Sequence, residues 1–217
     1  MPVGFRWVRG HVRADRALVE RFAAVPVAIV SDNMNRMFAG GADLRPMHAC
    51  EGGGGGLAGT ALTVLTRPGD NLVIHKAIDV AEPGDVIVVD AGGDTTSAVV
   101  GELIARHAQV CGVAGFVING AIRDLDAFRA GSFPIFATGV THRGPYKDGP
   151  GEIGVPVSIE FRAREVDYVL RTTGARGIIT CAEYKKFDHQ AMVHALRKDL
   201  PELAFVGVVR GQPTGDE

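Results

Sequence analysis

The chain has 217 residues, 46% of them apolar and 22% charged, with a net charge of −2. That is enough chain for one ordinary domain and a small addition. The near-neutral balance gives no basic surface for nucleic acid and no disordered acidic tail, and no apolar run reaches the length of a membrane span.

Two further absences set the compartment. Cys50, Cys111 and Cys181 are odd in number and widely spaced, so neither a disulfide framework nor a structural zinc site is expected. The N-terminus carries Arg6, Arg9, Arg13, Asp15 and Arg16 in place of a signal peptide's apolar core, and a cytoplasmic protein is expected. Among 29 glycines, five stand together at Gly52 to Gly56. A phosphate cradle needs a strand before it, a helix after it and usually a lysine. This run has no such lysine, so it reads as a flexible surface loop.

In chain order, Ala14 to Ala24 patterns as a helix with Leu18, Val19, Phe22 and Ala23 on one face. After Val27 to Val30, Ser31-Asp32-Asn33 reads as a helix N-cap. Leu57 to Leu65 is a candidate strand, Pro68 to Asn71 a turn, Leu72 to Val80 a short helix, and Pro83-Gly84-Asp85 a second turn. Val86 to Asp90 is a run of β-branched residues, the pattern of a strand buried on both faces. Gly92 to Thr96 is a loop, and Ala98 to Gln109 reads as a helix. Gly115 to Ile118 is the next buried strand, ended by Asn119-Gly120, with a helix over Ile122 to Ala130 and a strand at Pro134 to Ala137. Strands alternating with helices predict an α/β fold with parallel pairing.

The character changes near Ser158. Charged helices are expected at Arg162 to Thr172 and Asp188 to Asp199, with strands at Ile178 to Thr180 and Phe205 to Val209 and a polar tail from Gly211. Two domains follow, 1–158 and 159–217.

Chemistry is expected where two buried strands end, because ligands of open α/β sheets bind beyond the carboxyl ends of strands. The loop after Val86–Val89 leads to Gly101-Glu102-Leu103-Ile104, and the loop after Phe116–Ile118 holds Arg123-Asp124. A helix start offers N–H groups to an anion. Arg123 offers a bidentate clamp for a carboxylate. Asp124 offers a hard cation one carboxylate, as Mg²⁺ often requires. Against this, Arg-Asp dipeptides are common surface pairs or caps, Asp94 and Asp126 are ordinary alone, and the seven histidines make no HxxxH pair. His75 and His107 read as partly exposed helix residues.

Several segments between Val27 and Val157 resemble the RraA-like family, which includes 4-hydroxy-4-methyl-2-oxoglutarate aldolases and the regulator of ribonuclease E activity. They are Val30 to Asn33, Gly59 to Thr63, Gly84 to Asp90, Gly101-Glu102-Leu103, Gly115 to Asp124, and Gly144-Pro145 to Val157. The resemblance implies a swivelling α/β/β sandwich and a homotrimer with sites between subunits. It implies that the backbone of Gly101, Glu102, Leu103 and Ile104 and the side chain of Arg123 hold a pyruvyl carboxylate. It implies that Asp124 holds Mg²⁺ or Mn²⁺, partly through water. The activity implied is aldol cleavage of a 4-hydroxy-2-oxo diacid to pyruvate, with oxaloacetate decarboxylation as a side reaction. A non-catalytic partner of ribonuclease E, or an inactive fused member, is the alternative.

Past Val157 the family pattern of a Gly-rich hairpin and a Pro-Gly-Asp strand is missing, and with it the family's intersubunit acidic residue. Phe161 to Leu170, Thr173 to Arg176 and Ala182 to Asp188 instead resemble an internal piece of AMP-forming acyl-CoA ligases. No adenylating motif accompanies them. A grafted segment lacks the partners it evolved to pack against, so its apolar positions Val166, Val169, Leu170, Met192, Val193 and Leu196 are expected to dock loosely. Protease is then expected to cut early between Ser158 and Arg176.

Overall fold

The computed structural model describes residues 4–10, 13–33, 43–50, 56–157, 177–181, 183–184, 187–198, 200 and 205–209. The chain divides into two compact units, 1–159 and 160–217.

The first unit is built on one mixed eight-stranded sheet. Its elements are β1 (Phe5–Trp7), α1 (Arg16–Ala23), α2 (Val27–Asn33), β2 (Arg45–Pro46), β3 (Thr60–Thr66), α3 (Leu72–Val80), β4 (Asp85–Asp90), β5 (Ala98–Val100), α4 (Glu102–Val110), β6 (Gly115–Ile122), α5 (Leu125–Arg129), β7 (Ile135–Val140) and β8 (Gly151–Ile153). The centre is four parallel strands in the order β3, β4, β6, β7. Consecutive strands advance in one direction, so right-handed crossovers place α3, α4 and α5 on one face. Antiparallel β8 extends the β3 side and carries β1, while antiparallel β2 closes the β7 side. The core lies between the helices and the sheet. Val73, Ile74, Ala77 and Ile78 of α3 and Ala105 and Ala108 of α4 bury against Leu62, Val64, Ile87, Val89, Phe116 and Ile118.

Strand β6 has a long C-terminal half with its own partner. Residues 115–119 pair with β4, but Ala121 and Ile122 pair with Ala98 and Val100 of β5. This overturns two sequence expectations. Ala98 to Val100 are strand, not the first turn of a helix, because they continue the β4 lane after the loop at 91–97; the helix begins only after Gly101. Asn119-Gly120 does not end β6. Asn119 Nδ2 donates to Asp90 Oδ1 at 3.2 Å, which satisfies a buried amide inside the sheet. Gly120 sits where a Cβ would stand 3.0 Å from the Ala91 Cβ. Helix α5 therefore starts at Leu125 rather than Ile122. A third expectation also fails. Ser31-Asp32-Asn33 forms the last turn of α2, where Asn33 Nδ2 donates to the Ile29 carbonyl at 2.8 Å. The Pro26 carbonyl accepts the first bonds of that helix, which places the start five residues earlier.

The strap 141–150 crosses the carboxyl ends of the parallel strands from β7 to the β3–α3 turn. Thr141 N donates to Ile122 O, Ala98 N to Arg143 O, Tyr146 N to Gly69 O, and Asn71 N to Tyr146 O, all within 2.8–3.0 Å. The strap thus bonds in turn to β6, β5 and the start of α3.

In the second unit, β9 (Gly177–Cys181) pairs in parallel with β12 (Phe205–Val209) through α6 (His189–Arg197), and β10 (Glu183–Tyr184) forms a two-residue hairpin with β11 (Phe187–Asp188). Val193 of α6 is fully buried and Leu200 nearly so. The helix expected at Arg162 to Thr172, the tail from Gly211, and Gly52 to Gly55 lie outside the described residues. No helix among the described residues is long and apolar enough to cross a membrane.

Candidate active site

The site is assembled where β5, β6 and α4 meet. Strand β5 ends at Val100, Gly101 turns the chain into α4, and Arg123-Asp124 follows β6 one strand away. The Arg123 amide donates to Val100 O at 3.0 Å, locking the two strand ends together. The first intrahelical bond of α4 is Ala105 N to Gly101 O, so the amides of Glu102, Leu103 and Ile104 precede the helical ladder and face outward from its positive end.

Asp124 Oδ2 accepts the Glu102 amide at 3.0 Å and stands 3.6 Å from Arg123 Nε. Among the described residues Asp124 alone combines a side chain with a positive φ, +60°. Left-handed backbone costs a non-glycine residue about 1 kcal/mol, and Asp is one of the few that adopts it. That conformation turns the carboxylate back over α4 instead of out along α5.

Gly101 makes the approach possible. A Cβ there would lie 2.6 Å from Asp124 Oδ2 and 2.9 Å from Arg123 Nε. Gly144 of the strap completes the enclosure, since a Cβ on it would stand 3.4 Å from Arg123 Nη1.

All six residues expected from the sequence therefore come together: Gly101, Glu102, Leu103, Ile104, Arg123 and Asp124. Their parts differ. Glu102 contributes backbone, because its carboxylate pairs with Arg106 at 2.9 Å along the helix. Leu103 is 78% exposed. Asp94 is engaged within its own loop, accepting Thr96 N and Oγ1.

A hard cation fits this arrangement. Asp124 is about 41% exposed and only one of its oxygens carries a hydrogen bond. No group of three His, Cys, Asp or Glu side chains gathers here or anywhere else among the described residues, so Asp124 would be the one side-chain carboxylate that this chain offers a cation at the site. One carboxylate suits Mg²⁺ or Mn²⁺, which keep most of their waters, and does not suit zinc.

One cavity reaches the first residue of α4, and a second lies along β1. The first, of about 230 Å³, sits between α4 and α5, lined by Glu102, Ala105, Arg106, Phe128 and Phe133. The other, about 710 Å³, runs along β1 beside Trp7, Leu72 and Lys76. Neither is lined by Arg123 or Asp124. Donors and charges converge at α4 instead, on an open surface of the single chain.

Sequence reasoning passed over the strap's contribution. Lys147 Nζ donates to His75 Nε2 at 2.7 Å, and Arg143 Nη2 donates to the Tyr146 hydroxyl at 3.0 Å. Burial first, then the neighbouring Lys147 and His107 charges, lower the His75 pKa, against a smaller opposite effect of Asp79. The available signal was cations interleaved with Gly and Pro after a strand end: His142-Arg143-Gly144-Pro145-Tyr146-Lys147.

The fold and this site define an α/β protein that presents a guanidinium, a carboxylate and a helix N-terminus at the carboxyl ends of parallel strands. The sequence model of the RraA-like family, described as Aldolase/RraA, matches residues 27–173, and the chain belongs to that family. A Halalkalibacterium halodurans protein named "Putative 4-hydroxy-4-methyl-2-oxoglutarate aldolase" is 38% identical over 146 residues, 67% of this chain and 68% of its own. The solved RNA-processing inhibitor RraA of Thermus thermophilus superposes with a TM-score of 0.52 at 28% identity, over 61% of this chain and 78% of that one. A Geobacillus kaustophilus structure titled as an S-adenosylmethionine:2-dimethylmenaquinone methyltransferase gives 0.54 at 26% identity, over 62% and 81%. Three relatives on one fold carry three different functional names, so fold and likeness leave the activity to the residues of the site.

Proposed function

We propose that this chain is a divalent-metal-dependent lyase that cleaves 4-hydroxy-2-oxo diacids of the 4-hydroxy-4-methyl-2-oxoglutarate type to pyruvate and a second 2-oxo acid, with oxaloacetate decarboxylation as a side activity. The observation that carries this reading is the convergence of Arg123, Asp124 and the N-terminal amides of α4 around Gly101.

The substrate's C1 carboxylate would sit on the amides of Leu103 and Ile104 and on the Arg123 guanidinium, a charge-assisted contact that fixes the 2-oxo group in one orientation. Mg²⁺ or Mn²⁺ held by Asp124 would supply Lewis-acid polarisation of the 2-oxo oxygen. A water molecule would accept the 4-hydroxyl proton as the C3–C4 bond breaks, the C4 oxygen becoming the oxo group of the second acid and the bond's electron pair forming the enolate of pyruvate, which then takes a proton at C3 to give pyruvate. Decarboxylation of oxaloacetate develops the same enolate, so one set of contacts serves both. Arg123 and Leu103 lie half-open to exposed on the single chain, which suits a homotrimer whose neighbour closes the site, in the cytoplasm.

The test is pyruvate release from oxaloacetate with Mg²⁺ and with EDTA. A rate that collapses in EDTA and returns with Mg²⁺ is expected, and equal rates would sink the metal mechanism. A second reading has one observation in its favour, the structural likeness to an RNA-processing inhibitor. On that reading the chain binds ribonuclease E without turnover, and a pull-down run beside the decarboxylase assay separates the two.

A further inference from the structure

The Arg123–Asp124 site accounts for one carboxylate and one cation, yet the strap that crosses it brings more positive charge than that. Lys147 is the informative one. Its ammonium is held at 2.7 Å by the neutral Nε2 of His75, and no carboxylate among the described residues lies within ion-pair distance of it. A lysine in that position is fixed in direction but not neutralised. The nearby residues reinforce this. Asp148 pairs with Arg67 at 3.4 Å, and Asp79 pairs with Lys76 at 3.5 Å. Arg143 is drawn along the strap to the Tyr146 hydroxyl.

The position of Lys147 relative to the site follows from the chain itself. A Cβ on Gly144 would stand 3.4 Å from Arg123 Nη1. Lys147 is three residues further along, a span of at most about 10 Å. Its anchor His75 lies one turn into α3 from Asn71, whose side-chain amide donates to Val99 O at 3.2 Å, two residues before Gly101. Arg123 and Lys147 are thus linked through one strap, which passes the Arg123 guanidinium at Gly144 and reaches the start of α3 at Tyr146 and Lys147.

We infer that Lys147, positioned by His75, is the specificity-determining residue that binds the distal carboxylate of a 2-oxo diacid whose C1 carboxylate lies on Arg123. This rests on the lyase reading for its substrate class. The chemistry is a charge-assisted hydrogen bond from ammonium to carboxylate, and it explains why a 2-oxo acid with a second carboxylate would be chosen over one without.

Calorimetric binding with Mg²⁺ present tests it without requiring turnover. The ligands are 2-oxoglutarate and 2-oxopentanoate, equal in chain length and different only in the terminal carboxylate. The wild type should prefer 2-oxoglutarate by about ten- to a hundredfold, the usual worth of one charge-assisted hydrogen bond. Lys147→Met should remove that preference while leaving 2-oxopentanoate binding unchanged, and Lys147→Arg should restore part of it. A merely structural role for Lys147 would weaken both ligands together, and that result overturns the inference. So does a wild type that binds the two ligands equally, or a preference that is lost in Arg143→Met and kept in Lys147→Met. The two proposals fail separately. Lyase activity without discrimination sinks only the Lys147 assignment. A Lys147-dependent preference without pyruvate release sinks only the lyase reading. Binding of neither ligand sinks the Lys147 assignment, while the oxaloacetate assay decides the lyase reading.

Discussion

Two aspartates occupy equivalent places in this fold and are bonded in opposite ways. Asp70 and Asp124 each stand in the turn between a parallel strand and the helix that follows it. Asp70 is fully buried. Its carboxylate accepts the amides of Leu72, Asp148 and Gly149 at 2.8–2.9 Å and the Arg67 guanidinium at 3.2 Å. It clasps the strap to the β3–α3 turn. Asp124 has left-handed backbone, takes a single amide and stays 41% exposed. A carboxylate whose lone pairs are filled by backbone donors has nothing left for a ligand, whereas one with a single donor does. On the proposed function, the saturated aspartate serves stability and the unsaturated one serves chemistry.

The largest effect expected from this contrast is on turnover at Asp124. Asp124→Asn keeps the shape, the tolerance of left-handed backbone and an oxygen for the Glu102 amide, and removes only the charge. Metal-stimulated pyruvate release should fall by at least about a thousandfold, because Lewis-acid assistance is worth several kcal/mol and each 1.36 kcal/mol is a factor of ten. The melting temperature should stay close to wild type. Near-wild-type turnover in this variant would show that the carboxylate charge is not part of the chemistry.

Asp70→Ala should do the reverse. Three backbone amides and a guanidinium lose their acceptor inside the fold, a loss of about 3 kcal/mol or more. Urea denaturation reads it directly. A loss under about 1 kcal/mol would mean that water replaces the carboxylate and that the clasp is dispensable. Specific activity of the remaining folded protein should change far less than in Asp124→Asn.

The sequence sets Asp124 apart through its neighbour Arg123, but it does not show how differently the two aspartates are bonded, and the reason is physical. Asp70 lies in Pro-Gly-Asp-Asn, readable as a turn, but its donors Asp148 and Gly149 are almost eighty residues away. The φ of Asp124 is likewise set by β6 running on to Ile122, and that depends on Asn119 bonding to Asp90 across the sheet. Local signals that need no distant partner were legible: the β-branched run of β4, the helix Leu72–Val80 and the last strand Phe205–Val209. Where a residue's role depended on a distant neighbour, local propensity misled. Ala98-Val99-Val100 has an apolar pattern that a helix could use, yet β6 recruits it as strand. The two loops of the candidate site were legible because both follow the ends of buried strands, whereas the six residues within them were singled out by the resemblance to the RraA-like family. The strap over them was not, because its contacts are long-range backbone bonds.

A smaller effect is expected from crowding the site without altering its chemical groups. Gly101 has extended backbone, so Gly101→Ala introduces no conformational strain of its own. Its Cβ would nevertheless stand 2.6 Å from Asp124 Oδ2, and the carboxylate must move. Displacing a catalytic group by about 1 Å costs on the order of a hundredfold in rate. Steady-state kinetics should show the loss in kcat with the melting temperature little changed, since Asp124 has open space to move into. A fully active Gly101→Ala would mean that the geometry around Asp124 is not under tight constraint.

The smallest effect concerns His75, which links the clasp to the strap through Lys147. Its pKa in the fold is lowered, chiefly by burial and then by the Lys147 and His107 charges, with Asp79 opposing. The unfolded chain restores the ordinary histidine value near 6.5. Between the two values the unfolded state binds more protons than the folded one, so stability rises with pH across that window. The contribution is fully present above about pH 6.5 and fades as pH falls toward the folded value. His75→Gln keeps an acceptor for Lys147 and removes the titration. Between pH 7.5 and 5.5 the wild type should therefore lose more melting temperature than His75→Gln does, while the carboxylates common to both proteins cancel in the difference. The effect is modest, because His75 is only half-buried and solvent screens its neighbours. Parallel pH profiles for the two proteins would show that Lys147 does not hold His75 neutral, and the ammonium would then need another explanation for its fixed direction.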